Sequence, residues 1–310
     1  MRNQRPLPPI VSRLSVTSSR QLGLLFLLIT SFGWGLNWPV IKLILQEWPP
    51  LFARGAAGLV AALGLGVLAV VRGQRLSVPH GTAGRLAIAA MLNVFGWMGP
   101  STLAMVWLTV GQGTLLVYTM PIWAMLLAWP VRGERPTLRG IGALGLGVLG
   151  LCVLLGGPDL AIGLDKLPGV VFALGAAISF ALGTVAMRVP LPLPPLALVS
   201  WQVGLGCLPM VIAGILFERP QLEVLSGVGW AAMIYMTVVP MGICYLSWFA
   251  ALRRLPPATA SMATLLTPVI GVLAATPILG EPLGAREVLA LGLTLAGVSL
   301  ALPRAKASAA

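Results

Sequence analysis

Charged side chains divide this chain into long apolar runs. No charge falls within residues 22 to 41, 55 to 71, 86 to 131, 140 to 158, 167 to 187, 189 to 217, 224 to 252, 255 to 280 or 288 to 303. A helix of ~20 residues crosses ~30 Å of hydrocarbon, so the stretch from Leu86 to Val131 must hold two. The count becomes ten spans, with the extra break expected near Thr109 to Gly113, where Gly111 and Gly113 loosen the backbone. Pro190, Pro192, Pro194 and Pro195 cannot continue a helix and predict a stiff connector before the seventh span. Spans of a transmembrane β-barrel would be ~10 residues of alternating polarity, which these are not. The pattern predicts an all-α integral membrane protein.

Composition agrees. Of the 310 residues 58% are hydrophobic and 9% charged, where a soluble protein carries charge on about a quarter of its positions. The net charge of +12 would suggest nucleic acid in a soluble chain. Here the basic residues stand singly between apolar runs and act as topology signals, so no nucleic-acid partner is expected. With the N-terminus in the cytoplasm, fifteen Lys or Arg fall on the cytoplasmic side against five opposite, Lys42, Arg54, Lys166, Arg219 and Arg286. Both termini are therefore expected inside. The first run is long enough to span and lacks a small-residue cleavage site after it, which predicts a retained helix. Cys152, Cys207 and Cys244 are odd in number, buried in apolar runs and without metal-ligand spacing, so neither a disulfide framework nor a metal site is expected.

The chain repeats itself. A shift of 147 residues carries Ala104, Thr114, Pro121 and Pro130 onto Ala251, Ser261, Pro268 and Pro277. Without a gap, Gly133, Glu134, Arg139, Gly145 and Gly150 then meet Gly280, Glu281, Arg286, Gly292 and Gly297. The first helices agree more loosely, Trp34 to Lys42 lying opposite Phe180 to Arg188 at a shift of 146. Five spans per half is an odd number, so the second half must enter the bilayer inverted, as in secondary transporters with a site between the repeats.

Trp34-Gly35-x-Asn37 followed by Lys42, with the two Pro…Gly-Glu…Arg…Gly segments, resembles the ten-helix drug/metabolite transporter superfamily with paired EamA-type domains, and within it the YddG-type amino-acid exporters. The resemblance covers Gln21 to Leu302 and implies a cytoplasmic tail 1–20, one EamA-like five-helix repeat over 21–156, a periplasmic linker 157–166, a second repeat over 167–302, and a cytoplasmic tail 303–310. It further implies an inner-membrane exporter of small amino acids or related metabolites. Its cavity would lie among helices one to four and six to nine, with the fifth and tenth as scaffold.

Polar and aromatic residues at mid-span depth are the candidate substrate-binding set: Trp34, Asn37, Asn93, Trp97, Tyr118, Ser179, Tyr245 and Thr264. A polar group in hydrocarbon needs a partner, either another helix or a hydrated cavity, and both readings stand. In the cavity reading, rings would meet a substrate ammonium and Asn amides its carboxylate. Pro121 and Pro268, near the middle of the fourth and ninth spans, are candidate hinges or static kinks. Glu134 and Glu281 precede the fifth and tenth helices, where the positive helix end favours a carboxylate. Lys42 and Arg54 bracket the loop after the first span, where they snorkel or steer an anion. Apart from these two and Arg188, no ionisable side chain lies within a span, so carboxylate-coupled antiport has no visible residue. His80 sits in a loop and reads as solvated.

Gly145-x-Gly147-x-x-Gly150 has the dinucleotide-binding spacing but no preceding strand, and reads as a close-packing face: Ala143 and Gly147 match Gly292 and Ala296, so the fifth and tenth helices should meet. An intramembrane enzyme would need a nucleophile with a base, paired aspartates or a metal motif, and none is present. No cofactor and no obligate protein partner are expected; the partners are the bilayer and a small-molecule substrate. A passive channel or uniporter remains the alternative to alternating access.

Overall fold

Prolines and glycines set the helix limits. The structure, a computed structural model, describes residues 9–135, 137–155, 165–187, 189–220, 225–255 and 265–301, with only the backbone for 9–18, 151, 154, 155 and 301. The expected linker 157–166 is described only at its last two residues, which form a turn; the tail 303–310 and Ser261, Thr264 and Arg188 lie outside. Among the described residues all regular structure is helical: α1 Pro9–Ile44, α2 Pro50–Val71, α3 Ala83–Ala90, α4 Gly96–Ala104, α5 Val110–Val117, α6 Met120–Arg132, α7 Leu138–Leu155, α8 Leu167–Ala186, α9 Pro195–Ala213, α10 Gly227–Val238, α11 Cys244–Leu252, α12 Leu266–Leu279 and α13 Ala285–Ala301. Five-residue π turns follow α3 (Met91–Phe95), α9 (Gly214–Glu218) and α10 (Val239–Ile243). The first helix begins at Pro9, so the described part of the expected tail continues it.

Joined across their π turns and breaks, seven of these segments are long and apolar enough to cross a bilayer. α7, α12 and α13 complete ten. Large apolar side chains face outward, Leu63 72% and Phe217 82% exposed among them, which is tolerable in lipid and not in water.

The repeated Gly-Glu pair has a structural cause. Gly133 and Gly280 close α6 and α12 in the left-handed conformation, φ 73° and 70°, where a Cβ would be strained. In both halves the glycine N–H donates four residues back and the glutamate N–H six back, to Ala128 at 3.3 Å and Ala275 at 3.4 Å. This is the Schellman cap, built twice.

Packing follows the same duplication. α1 lies against α12 and α11, and in mirror fashion α8 lies against α6 and α4. α2 pairs with its counterpart α9, and α7 with α13. Exchange of the halves leaves this set of neighbours unchanged, as a two-fold relation between inverted five-helix repeats requires. Two of the three π turns obey it too: a shift of 147 carries Met91–Phe95 onto 238–242, one residue from the observed Val239–Ile243, whereas Gly214–Glu218 has no counterpart in α2. The fifth and tenth helices meet as expected, through Ala143, Gly147 and Gly150 against Ala290, Thr294 and Gly297, while Gly292 faces open space.

Candidate functional site

Between the halves, two of the three π turns expose a carbonyl that a helix of the other half supplies with a donor. Trp34 Nε1 in α1 donates to the Pro240 carbonyl at 3.0 Å, and Ser179 Oγ in α8 donates to the Leu92 carbonyl at 3.0 Å. A π turn shifts the i→i+4 ladder by one residue and so frees carbonyls that must be satisfied elsewhere. The Tyr235 hydroxyl donates to the Gly33 carbonyl at 2.9 Å. Ring contacts complete this join: Trp34 meets Tyr245 edge-on at 5.8 Å and 76°, and Trp248 at 5.8 Å.

Asn37 is buried one turn beyond Trp34, and its Oδ1 accepts from Arg54 Nη1 at 3.4 Å. Arg54 does not snorkel: it is 3% exposed and its Nε has no hydrogen-bond partner. Ala53, Ala57, Gly58, Ala61 and Leu65 form the buried stripe of α2, and Arg54 belongs to it. The 3–4 spacing of those small residues is the signal by which the sequence marks this arginine as inward-facing.

A second group lies between α4 and α8. Trp97 packs on Phe180 at 5.8 Å with its Nε1 buried and unpartnered. Asn93 turns its unpartnered Oδ1 toward Gly183, where a Cβ would stand 2.1 Å away. Ser179 joins this group through Leu92. Tyr118 forms a third, its ring 6.2 Å from Trp38 and close to the buried, unpartnered hydroxyl of Thr267. The seven described candidates thus form three small groups along the interface of the halves.

The fourth span breaks where Pro121 stands. α5 ends at Val117, Tyr118 and Thr119 interrupt the helix, and Pro121 occupies the first turn of α6, where its missing N–H costs nothing. The expected bend is therefore a break. Pro268 sits equivalently, third in α12. The loop between the third and fourth spans falls at 105–109, closed by a capping box of Thr109 and Gln112.

Three carboxylates join the halves on the face where α1 ends. Glu281 accepts from Val110 N–H, at 2.8 and 3.0 Å to its two oxygens; Glu218 accepts from Leu51 at 2.9 Å and Phe52 at 3.0 Å. Glu47 accepts from Ser226 N–H at 2.7 Å and Oγ at 2.6 Å. Each caps the N-terminus of a helix in the other half, where the first N–H groups lack partners. Those Ser226 bonds hold the Glu47 carboxyl below its ordinary range. Helix-end attraction was the right physics for Glu281, but it acts at α5 and not at the following helix.

The opposite face is built differently. Arg132 donates to the Val185 carbonyl at 2.7 Å and Arg85 to that of Val189. Beside them lies a cavity of about 670 Å³ between α6, α8 and the scaffold helices, lined by Pro121, Arg132, Glu134, Gly140, Phe180 and Leu300; none of the candidate residues Trp34, Asn37, Asn93, Trp97 or Tyr118 lines it, so it is not the cavity expected among helices one to four and six to nine. Through Phe180 it reaches the ring that covers Trp97. Among the described residues no three His, Cys, Asp or Glu side chains converge as a metal site would need.

The profile of the EamA-like transporter family matches residues 21–156 and 167–302. The chain belongs to that family. It is 28% identical over 287 residues to the Bacillus subtilis transporter YvbV, covering 89% of this chain and 90% of the relative. Identity is 27% over 273 residues to the Escherichia coli inner membrane transporter YedA, 86% of each chain. A Salmonella typhimurium protein named a probable amino-acid metabolite efflux pump is 26% identical over 299 residues, 90% of this chain and 94% of that one. A solved crystal structure superposes with a TM-score of 0.63 at 19% identity, covering 92% of this chain and 96% of the other, a likeness of fold. This EamA-family chain is thus a membrane transporter and not an enzyme.

Proposed function

We propose that this transporter exports amino acids or related small metabolites from the cytoplasm across a bacterial inner membrane, by alternating access at the interface of its inverted halves. The observation that supports the mechanism is the difference between faces: three carboxylates cap helices of the opposite half on one, while on the other Arg132 and Arg85 hold carbonyls of the opposite half beside a cavity of about 670 Å³. With both termini cytoplasmic, as the positive-inside bias favours, the face with the cavity is the cytoplasmic one and the structure is inward-facing. The broken fourth span supports the same reading, because discontinuous helices border the sites of many inverted-repeat carriers.

The cargo class is supported by the relative named an amino-acid metabolite efflux pump, and by rings and polar groups at depth suited to a zwitterion. Efflux of labelled amino acids from proteoliposomes tests it. The reading expects saturable flux and counterflow for at least one amino acid. Flux without saturation or counterflow indicates a channel, and no flux for any amino acid or common metabolite contradicts the export reading.

A further inference from the structure

Arg54 is a charge enclosed within a span, 3% exposed, and among the described residues no group of opposite charge is bonded to it. Its one side-chain hydrogen bond, to Asn37 Oδ1 at 3.4 Å, is longer than the ~2.7–3.2 Å of a good N–H···O bond. Among the described residues no carboxylate is hydrogen-bonded to it; Glu218 is held by the Leu51 and Phe52 N–H groups one turn earlier in α2. Burying a cation without a counter-ion is costly, and an apolar residue in its place would relieve that cost. The unpartnered group is Nε, the edge of the guanidinium opposite the Nη1 that Asn37 holds. With Nη2, Nε makes the planar two-donor edge that fits a carboxylate.

We propose that Arg54 binds the carboxylate of the cargo, with Asn37 fixing the guanidinium so that its Nε edge faces the join between the halves. This deepens the export reading and rests on it. Trp34, one turn before Asn37 on α1, brings the aromatic group to the site, with Tyr245 edge-on to it at 5.8 Å. An α-amino acid seated on Arg54 would therefore turn its ammonium toward these rings, an arrangement favoured by cation–π attraction. The assignment differs from one in which Asn amides alone hold the carboxylate: here the charge-assisted donors are those of Arg54, and Asn37 takes part as the acceptor for its Nη1.

The test uses the full chain in proteoliposomes and in detergent. Wild type is assayed for counterflow of an amino acid, its primary amide and the corresponding amine, then compared with Arg54→Lys and Arg54→Gln. Wild type should favour the acid over the amide at least ~10-fold, the scale of one charge-assisted hydrogen-bonded contact. Arg54→Gln should raise the half-saturation concentration of the acid ~10-fold or more and erase that preference, while Arg54→Lys retains part of it. Melting in detergent separates binding from a structural role. Without ligand, Arg54→Gln should melt no lower than wild type, and amino-acid stabilisation seen in wild type should vanish. Equal handling of acid and amide by wild type overturns the proposal, as does a lower melting temperature for Arg54→Gln with unchanged half-saturation. If wild type carries no amino acid, the export reading fails. Thermal stabilisation by amino acids but not by amides, lost in Arg54→Gln, would then still support the carboxylate site, and its absence would remove that as well.

Discussion

A carboxylate facing a helix N-terminus is a local device with a long reach, because here each one spans the two halves. Removing the charge of Glu281 weakens its grip on Val110 by about 1.5–3 kcal/mol, roughly one to two powers of ten in an equilibrium. Cys152, expected inside an apolar run, is exposed, whereas Cys207 and Cys244 are buried; in a Cys152→Ser background, a thiol introduced by Gly111→Cys should react with an aqueous maleimide at least several-fold faster when Glu281→Gln is added. The Gly111 site accepts a side chain, its nearest neighbours lying 3.9 and 4.0 Å from the new Cβ. Glu47 makes the clamp acid-sensitive with a definite sign. Its folded pKa lies below the ordinary 4.5, so its contribution is complete above that value and is lost as pH falls through the lowered one. Measured relative to a free thiol at the same pH, the reactivity of this thiol should stay constant from pH 8 to 5 and rise at more acid pH, and Glu47→Gln should shrink that acid step. At this scale the sequence shows which polar residues lie deep, but not which meet. Lys42 and Arg54 read alike as helix-end cations, and only the small-residue stripe of α2 distinguishes the second. Glu281 reads as a partner of its own following helix because its true partner is 171 residues away.

At the scale of helices, the break before Pro121 and the glycine seam between α7 and α13 make separable predictions. Pro121 occupies a first-turn position that a proline fits without strain, so Pro121→Ala should change expression little. If the break works as a hinge, the same change extends α5 into α6 and slows counterflow several-fold; equal loss of expression and flux would mark a packing role. In the seam, a Cβ at Gly297 would stand 2.8 Å from the Ala143 carbonyl. Gly297→Ala should therefore destabilise by about 1–3 kcal/mol through forced separation of the helices, read as a lower melting temperature in detergent. Gly292→Ala, facing open space, serves as its control and should melt like wild type. The ten spans, their order and the fifth–tenth contact are legible in the sequence because length and small-residue spacing decide them. The π turns are not: Met91–Phe95 and Val239–Ile243 carry no composition of their own, and tertiary donors such as Ser179 and Trp34 satisfy the carbonyls they free.

For the molecule as a whole, odd-numbered repeats force inversion, and inversion gives two faces made from the same parts in opposite roles. The halves contact each other on both sides of the bilayer, through carboxylates on one and through Arg132 and Arg85 on the other. A carrier exchanges which side is closed, whereas a pore has no such obligation. The most direct measurement is the paired reactivity of two thiols, from Gly111→Cys on the carboxylate face and Thr184→Cys beside the open cavity, each in the Cys152→Ser chain with and without saturating cargo. Alternating access predicts opposite changes, the first thiol gaining reactivity while the second loses it. Thiols that both react freely in the same state, or that stay unchanged by a transported amino acid, would contradict it.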